Sequence, residues 1–289
     1  MSQIRVVLSF FYNPARSTIV WSEWFLSLWS GIVPMEVWMS DNPEANGFEI
    51  SNFAELERDP SRIAYFQSYF DLHYNDTFRY HQGTEEILGL LTQYRPAGDW
   101  IDLGSGPSTL FWSLALSGVH SITCSDIAPE ALQVLHNFVC SDEIPSCYHE
   151  VLSMLSRPIT HLADMRQRVR HYYVLDVMRP WPNFMRDRQY DLTTQFGTFG
   201  LASSPEEYLN CFAHLYSHIK LEGYVVGANW IRSPRLVTCE GRDNSYLSLD
   251  LVEHAATRFN FHLLYRNFVS IRDDDSYKAV IIWALKKRS

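Results

Sequence analysis

From residue 98 onward the chain alternates between short apolar runs and longer amphipathic stretches. Trp100 to Leu103, Ser121 to Asp126, Tyr173 to Asp176, Tyr190 to Thr194 and Tyr224 to Asn229 read as strands. Ser108 to Ser117, Pro129 to Cys140, Leu162 to Arg170, Pro205 to Ile219 and Leu251 to Phe259 read as helices between or after them, and the stretch between Cys140 and Leu162 reads as irregular. At the end, "FHLLYRNFVSI" and "DDDSYKAVIIWALKK" predict two long strands joined by a polar turn, an antiparallel hairpin. Strand and helix in alternation predict an α/β fold, a mostly parallel sheet covered on both faces, to which the hairpin adds an antiparallel strand.

Two further helices precede the first of these strands. Pro60 and Ser61 open one that carries Ile63, Tyr65, Phe66, Tyr69 and Phe70; Thr84, Glu85 and Glu86 open another that runs through Leu91. Upstream, Trp21, Trp24, Phe25, Leu28 and Trp29 recur at offsets of three and four and predict a helix with one aromatic stripe. Turns at Pro34, Asp41 to Pro43 and Asn46-Gly47 follow. The division expected is therefore an N-terminal cap or extension over residues 1–60 and one compact unit over residues 61–289.

Composition narrows the chemistry. With 289 residues and a formal net charge of −9, the chain lacks the excess of lysine and arginine that binding to nucleic acid by phosphate neutralisation requires. Five cysteines with no C-x-x-C pair suggest neither a zinc site nor a disulfide framework, and a cytoplasmic location fits. The apolar run from Ile19 to Val33 is interrupted by Glu23 and serines, so neither a membrane span nor a signal peptide is expected.

The candidate site lies at "DWIDLGSGPSTLFW". Gly104-Ser105-Gly106 forms a turn between a strand and a helix; Asp126 ends the next strand, where a carboxylate can accept both ribose hydroxyls; Asp176, in "LDV", ends the strand after that. Asp176 would take an adenine amino hydrogen while Ile127 and Val177 pack the ring faces. Two nucleosides compete for such a pocket. A nicotinamide dinucleotide needs its pyrophosphate over the helix N-terminus, where Pro107 removes a donor and Thr109 replaces a small residue. S-adenosylmethionine carries no phosphate and suits the D-x-G-x-G pattern starting at Asp102 better.

"IDLGSGPST", "SRIAYFQSYF" and "VLDVMRPWP" resemble segments of the nicotinamide, phenylethanolamine and indolethylamine N-methyltransferase family, and the similarity in element order runs from about residue 60 to the C-terminus. The resemblance implies a Rossmann-like class I methyltransferase fold with S-adenosylmethionine as donor and a small molecule as acceptor. It implies that Gly104, Ser105, Gly106 and Ser108 line the methionine portion, Asp126 the ribose, and Asp176 with Val177 the adenine, while Tyr65 and Tyr69 close over the donor. Phe70 stands where members often have another tyrosine, and Ala131 near a position where an asparagine is common. On the acceptor side "VVGANWIRSP" offers Asn229, Trp230 and Ser233 where members use an acid or small residues.

Alkyl transfer from a sulfonium is an in-line displacement that needs orientation and exclusion of water more than a general base. Aromatic faces attract the cation by roughly 0.5 to 2 kcal/mol each, which gives Tyr65, Tyr69 and Phe196 a use beyond packing. Tyr65, Asn229 and Ser233 are the expected catalytic residues, and no metal site is expected. Histidines such as His73, His81 and His171 suit surface or core roles, Arg166, Arg168 and Arg170 a solvated helix face, and Asp273 to Asp275 a turn. Three functions fit the pocket: methyl transfer to a small amine; cyclisation of the donor itself, its α-amine attacking its γ-carbon to leave azetidine-2-carboxylate and methylthioadenosine, as bacterial azetidine synthases similar to this family do; or non-catalytic sensing of the nucleoside.

Overall fold

The computed structural model describes residues 47–94 and 97–289, so the tryptophan-bearing helix expected over residues 19–33 lies outside the described residues. These residues build an eight-stranded sheet from β1 (Gly47–Glu49), β2 (Gly98–Leu103), β3 (Val119–Asp126), β4 (Val169–Leu175), β5 (Tyr190–Phe196), β6 (Ile219–Arg232), β7 (Phe261–Ser270) and β8 (Tyr277–Lys287). Its spatial order is β1-β4-β3-β2-β5-β6-β8-β7. The five strands from β2 to β6 are mutually parallel, and β1, β8 and β7 run antiparallel to their neighbours. The strand order reverses between β2 and β5, so the connections that follow these two strands lead in opposite directions and leave a crevice at their carboxyl ends.

Period-two alternation sorts the core into two layers. In β2, Trp100 joins the cluster on one face while Ile101 and Leu103 join that on the other; in β8, Val280, Ile282 and Ala284 face one way and Ile281, Trp283 and Leu285 the other. Helices α1 (Pro60–Phe70), α2 (Thr84–Gln93), α3 (Thr109–Ser113), α4 (Pro129–Val139), α5 (Ser146–Met154), α6 (Thr160–Arg168), α7 (Pro205–Tyr216), α8 (Pro234–Glu240) and α9 (Leu249–Arg258) connect or cover the strands. Among the described residues no helix is long and apolar enough to cross a membrane.

Four local expectations are corrected. The stretch after Cys140 is not irregular: α5 lies there, with Cys147, Tyr148, Val151 and Leu152 buried at helical spacing between Pro145 and Pro158. Helix α3 is one short turn: Leu114, Ala115 and Leu116 leave the helix while still packing into the core, and Ser117 is exposed. Strand β4 starts at Val169, where the sequence suggested that a helix continued. The three arginines consequently do not share a solvated face: Arg166 donates to the Glu143 carbonyl and lies 4.8 Å from the Phe138 ring, Arg168 donates to the Val119 carbonyl, and Arg170 is exposed on the strand. Within the stretch up to residue 60, Gly47 to Glu49 already pair with β4, and His171 meets Glu49 at 2.7 Å across that edge.

Candidate functional site

Strand β2 ends at Leu103, and the chain turns through Gly104 at φ +61° and Gly106 at φ +50°. Both values lie in the left-handed region that a side chain disfavours. A Cβ on Gly104 would fall 1.8 Å from Thr198 Oγ1, so this glycine is demanded by packing as well as by conformation. A Cβ on Gly106 would meet nothing within 4 Å: the turn opens there onto free space. Hydrogen bonds fix its shape, from Ser105 N to the Ser125 carbonyl (2.8 Å), from Ser108 Oγ to the Ser105 carbonyl (2.9 Å) and from Trp112 Nε1 to Ser108 Oγ (3.3 Å).

Asp126 lies at the tip of β3 beside this opening. Its Oδ2 accepts from Gly106 N and its Oδ1 from Ala128 N, both at 2.8 Å. Burial raises its pKa while those amides and the Arg62 guanidinium work against the rise. Asp176 follows the end of the adjacent strand β4; its Oδ1 accepts from Met178 N at 3.0 Å, and burial raises it as well. Each carboxylate keeps lone pairs beyond those committed to its own loop. Ile127, next to Asp126, is 41% exposed, whereas Val177 is buried. Phe196, at the end of β5, places its ring 4.5 Å from that of Trp112.

Asp102, the first residue of the glycine motif, is buried beneath the turn. Its carboxyl accepts from Thr194 Oγ1 (2.6 Å) and Thr109 Oγ1 (2.8 Å), and Trp100 Nε1 donates to Thr194 in turn. Burial pushes its pKa up to about 7. It ties β2, β5 and α3 together and supports the turn from below.

Helix α1 carries Tyr65 and Tyr69. Asp59 caps it by accepting from Ser61 N, and Pro60 occupies the first turn, where its missing N–H costs nothing. The helix packs on α4 through an ion pair between Arg62 and Glu130 (3.5 Å), the Glu130 side chain only 6% exposed. The Tyr69 phenol is raised well above its usual range, first by the neighbouring Tyr74 and then by burial. Tyr74 is a residue the sequence gave no signal for: it sits in a π-helical turn, Asp71–Asn75, that continues α1. Its pKa is raised to about 12, first by burial, with the nearby Ser108 and Tyr69 hydroxyls working against the rise; its ring packs on Phe111 with centroids 5.0 Å apart. Phe70, which lacks the hydroxyl found at this position in the resembling family, is buried against Phe138 and Tyr74.

Asn229 and Ser233, expected to meet an acceptor, are committed elsewhere. Asn229 is fully buried; it exchanges two hydrogen bonds with Gln195 (3.1 and 3.2 Å) and accepts a third from Tyr208 (3.1 Å), clamping β5, β6 and α7 together. Ser233 caps α8, accepting from Leu236 N and donating to the Asp275 carbonyl. What the structure brings to the end of β6 is Arg232 and Glu240, paired at 2.9 Å, and neither was singled out from the sequence.

No protein-family model matches the sequence, and no curated protein matches it. Solved structures share the fold. A chain of the complex containing the Haloferax volcanii Trm112 methyltransferase activator is 14% identical, with a TM-score of 0.53 over 81% of this chain and 100% of that one. A SAM-dependent methyltransferase from Methanosarcina mazei is 11% identical, with a TM-score of 0.50 over 69% of this chain and 97% of that one. The described residues therefore have the Rossmann-like fold that methyltransferases of this class use, mostly parallel with a C-terminal antiparallel hairpin.

Proposed function

We propose that the chain is an S-adenosylmethionine-dependent methyltransferase acting on an amine or similar small nucleophile, the acceptor class that the resemblance to the N-methyltransferase family implies. The observation that carries this reading is the pair of carboxylates, Asp126 and Asp176, at adjacent strand tips beside a glycine turn that opens onto free space at Gly106. The acids suit the nucleoside part of either candidate, and Pro107, which removes a donor at the helix N-terminus where a pyrophosphate would sit, favours the phosphate-free, cationic one. Asp126 would accept from the ribose hydroxyls and Asp176 from the adenine amino group, with Ile127 and Val177 against the ring. Gly104, Ser105, Gly106 and Ser108 would face the methionine portion, with Tyr65, Tyr69 and Phe196 around the cation.

When bound, the donor supplies an electrophilic methyl carbon: the acceptor's lone pair forms the new bond while the electrons of the breaking C–S bond stay on sulfur. The chain's own contribution is placement. Trp112 holds Ser108, Asp102 holds the turn from below, and the docking of α1 on α4 would keep the aromatic residues over the crevice and water out. Asn229 and Ser233 act as supports for the acceptor side. In this reading residues 61–289 are the catalytic unit and residues 1–60 an extension that also lends β1 to the sheet.

Calorimetry with S-adenosylmethionine, adenosylhomocysteine and a nicotinamide dinucleotide tests the pocket. Binding of the first two alone is expected, and preference for the dinucleotide would overturn the assignment. Incubation with donor and an amine panel should then give adenosylhomocysteine only when an amine is present. Methylthioadenosine from the donor alone would replace methyl transfer with cyclisation.

A further inference from the structure

Asp176 opens a connection whose next part, "RPWP" at Arg179 to Pro182, the function above leaves unused. The parallel crossovers from β2 to β3, from β3 to β4 and from β5 to β6 each carry at least one α-helix. The crossover from β4 to β5 carries a single 3-10 turn, Asn183–Met185. Trp181 and Met185 close the sheet face in the place of a helix, buried in the same cluster as Leu209 and Phe212 of α7. This thin cover leaves a cleft of about 380 Å³ between the connection and the end of α7, within the size range of small-molecule sites.

The floor of the cleft is aromatic. The Trp181 indole stacks on the His218 imidazole, with centroids 4.2 Å apart and planes 14° from parallel, and Pro180 and Pro182 stiffen the backbone on either side. His218 is buried, and its Nδ1 lies 3.0 Å from the Arg188 carbonyl, which fixes the ring. Trp181 is 9% exposed, and its buried Nε1 has no hydrogen-bond partner among the described residues. Buried donors are almost always paired, so this N–H in the cleft wall calls for an oxygen that the chain does not supply.

The rim is polar. Arg186, exposed, donates from Nη2 to Asn183 Oδ1 at 3.0 Å, and His214 lines the same space. No carboxylate lines the cleft, although the chain carries a net charge of −9. Burial, then Arg179, lowers the pKa of His214; burial lowers that of His218, with the bond to the Arg188 carbonyl opposing. Both imidazoles are therefore neutral near pH 7, and the permanent charge in the lining is the Arg186 guanidinium.

We propose that this cleft binds a small aromatic carboxylate, its ring against Trp181 and the prolines and its carboxylate on the Arg186 fork. One permanent positive charge suits a monoanion better than a phosphate dianion. The site is independent of the donor reading, because none of its lining residues belongs to the crevice beside Gly106.

Calorimetry on the full chain tests the site, with 1-naphthoate as probe and 1-naphthalenemethanol, 1-naphthylmethylamine and inorganic phosphate as controls. Saturable one-to-one binding of the carboxylate is expected, with the alcohol at least about tenfold weaker and no binding of the amine. Arg186→Gln should cost the carboxylate about tenfold and leave the alcohol unchanged. Ala213→Trp, at an exposed position on the last turn of α7, should fill the cleft and abolish binding while the melting temperature stays that of the parent. No saturable binding of naphthoate to the folded parent, equal binding of the alcohol, tighter binding of phosphate, or variants that bind naphthoate like the parent would each overturn the site.

Discussion

At the tips of β2, β3 and β4 the groups facing the crevice belong to the ends of the strands themselves: a glycine turn immediately after Leu103, Asp126 closing β3 and Asp176 one residue past Leu175. At the tips of β5 and β6 the corresponding positions are spent on holding the fold. Asn229 is locked to Gln195 and Tyr208, Ser233 caps a helix, and the polar groups left over, Arg232 and Glu240, come together only because α8 folds back along β6. One side is assembled by local chain geometry and the other by contacts between segments far apart. On the proposed function, a nucleoside would be recognised by a short motif, whereas the molecule it reacts with would be selected by the tertiary structure.

The largest effect expected on this contrast is that of Asp126→Ala. If Asp126 takes two ribose hydroxyls as proposed, removing it forfeits about 1.5 to 3 kcal/mol for each charged hydrogen bond, so donor affinity should fall at least about a hundredfold by calorimetry. Undiminished binding would break the donor side of the comparison. Asn229→Ala should do the reverse. It strands Gln195 and Tyr208 inside the core at about 1 to 3 kcal/mol, which lowers the melting temperature by several degrees, while the donor dissociation constant stays as it was. A collapse in donor affinity without loss of stability would return Asn229 to the site.

A third measurement concerns Asp102. Its carboxyl is held up near pH 7 by burial, far above the usual carboxylate range, so the folded chain keeps a proton that the unfolded chain gives up. Its contribution to stability is complete below about pH 4 and is lost as pH rises toward 7, by a few kcal/mol in all. Asp102→Asn should flatten denaturant-derived stability across that window, and a slope unchanged by the substitution would show that the burial is relieved. The smallest effect belongs to Ser233→Ala, which removes a helix cap worth about 1 kcal/mol and should leave the acceptor KM untouched.

This contrast also explains what could be read from the amino-acid order. The alternation of strands and helices, the terminal hairpin and the glycine turn with its two acids are written in residues close together, and the fold and donor-side candidates follow from them. Helix α5 escaped because prolines and polar residues bracket a short apolar pattern. Tyr74 escaped because its position depends on a π-helical turn that no residue pattern announces, and Glu240 because the end of a seven-residue helix becomes significant only beside Arg232. Asn229 shows the converse: an amide in such a strand looks available until the side chains from β5 and α7 that surround it are known.

The widened turn at Asp71–Asn75 has a consequence for how this chain tolerates length changes. Such a turn accommodates one residue more than a regular helix, and each α-helical residue advances the side-chain direction by roughly 100°. Deleting a single residue between Asp71 and Tyr74 would restore even winding and swing the Tyr74 ring away from Phe111, on which it packs with centroids 5.0 Å apart. A one-residue gap in this stretch of a related chain would thus mark a protein that packs this helix end with other side chains.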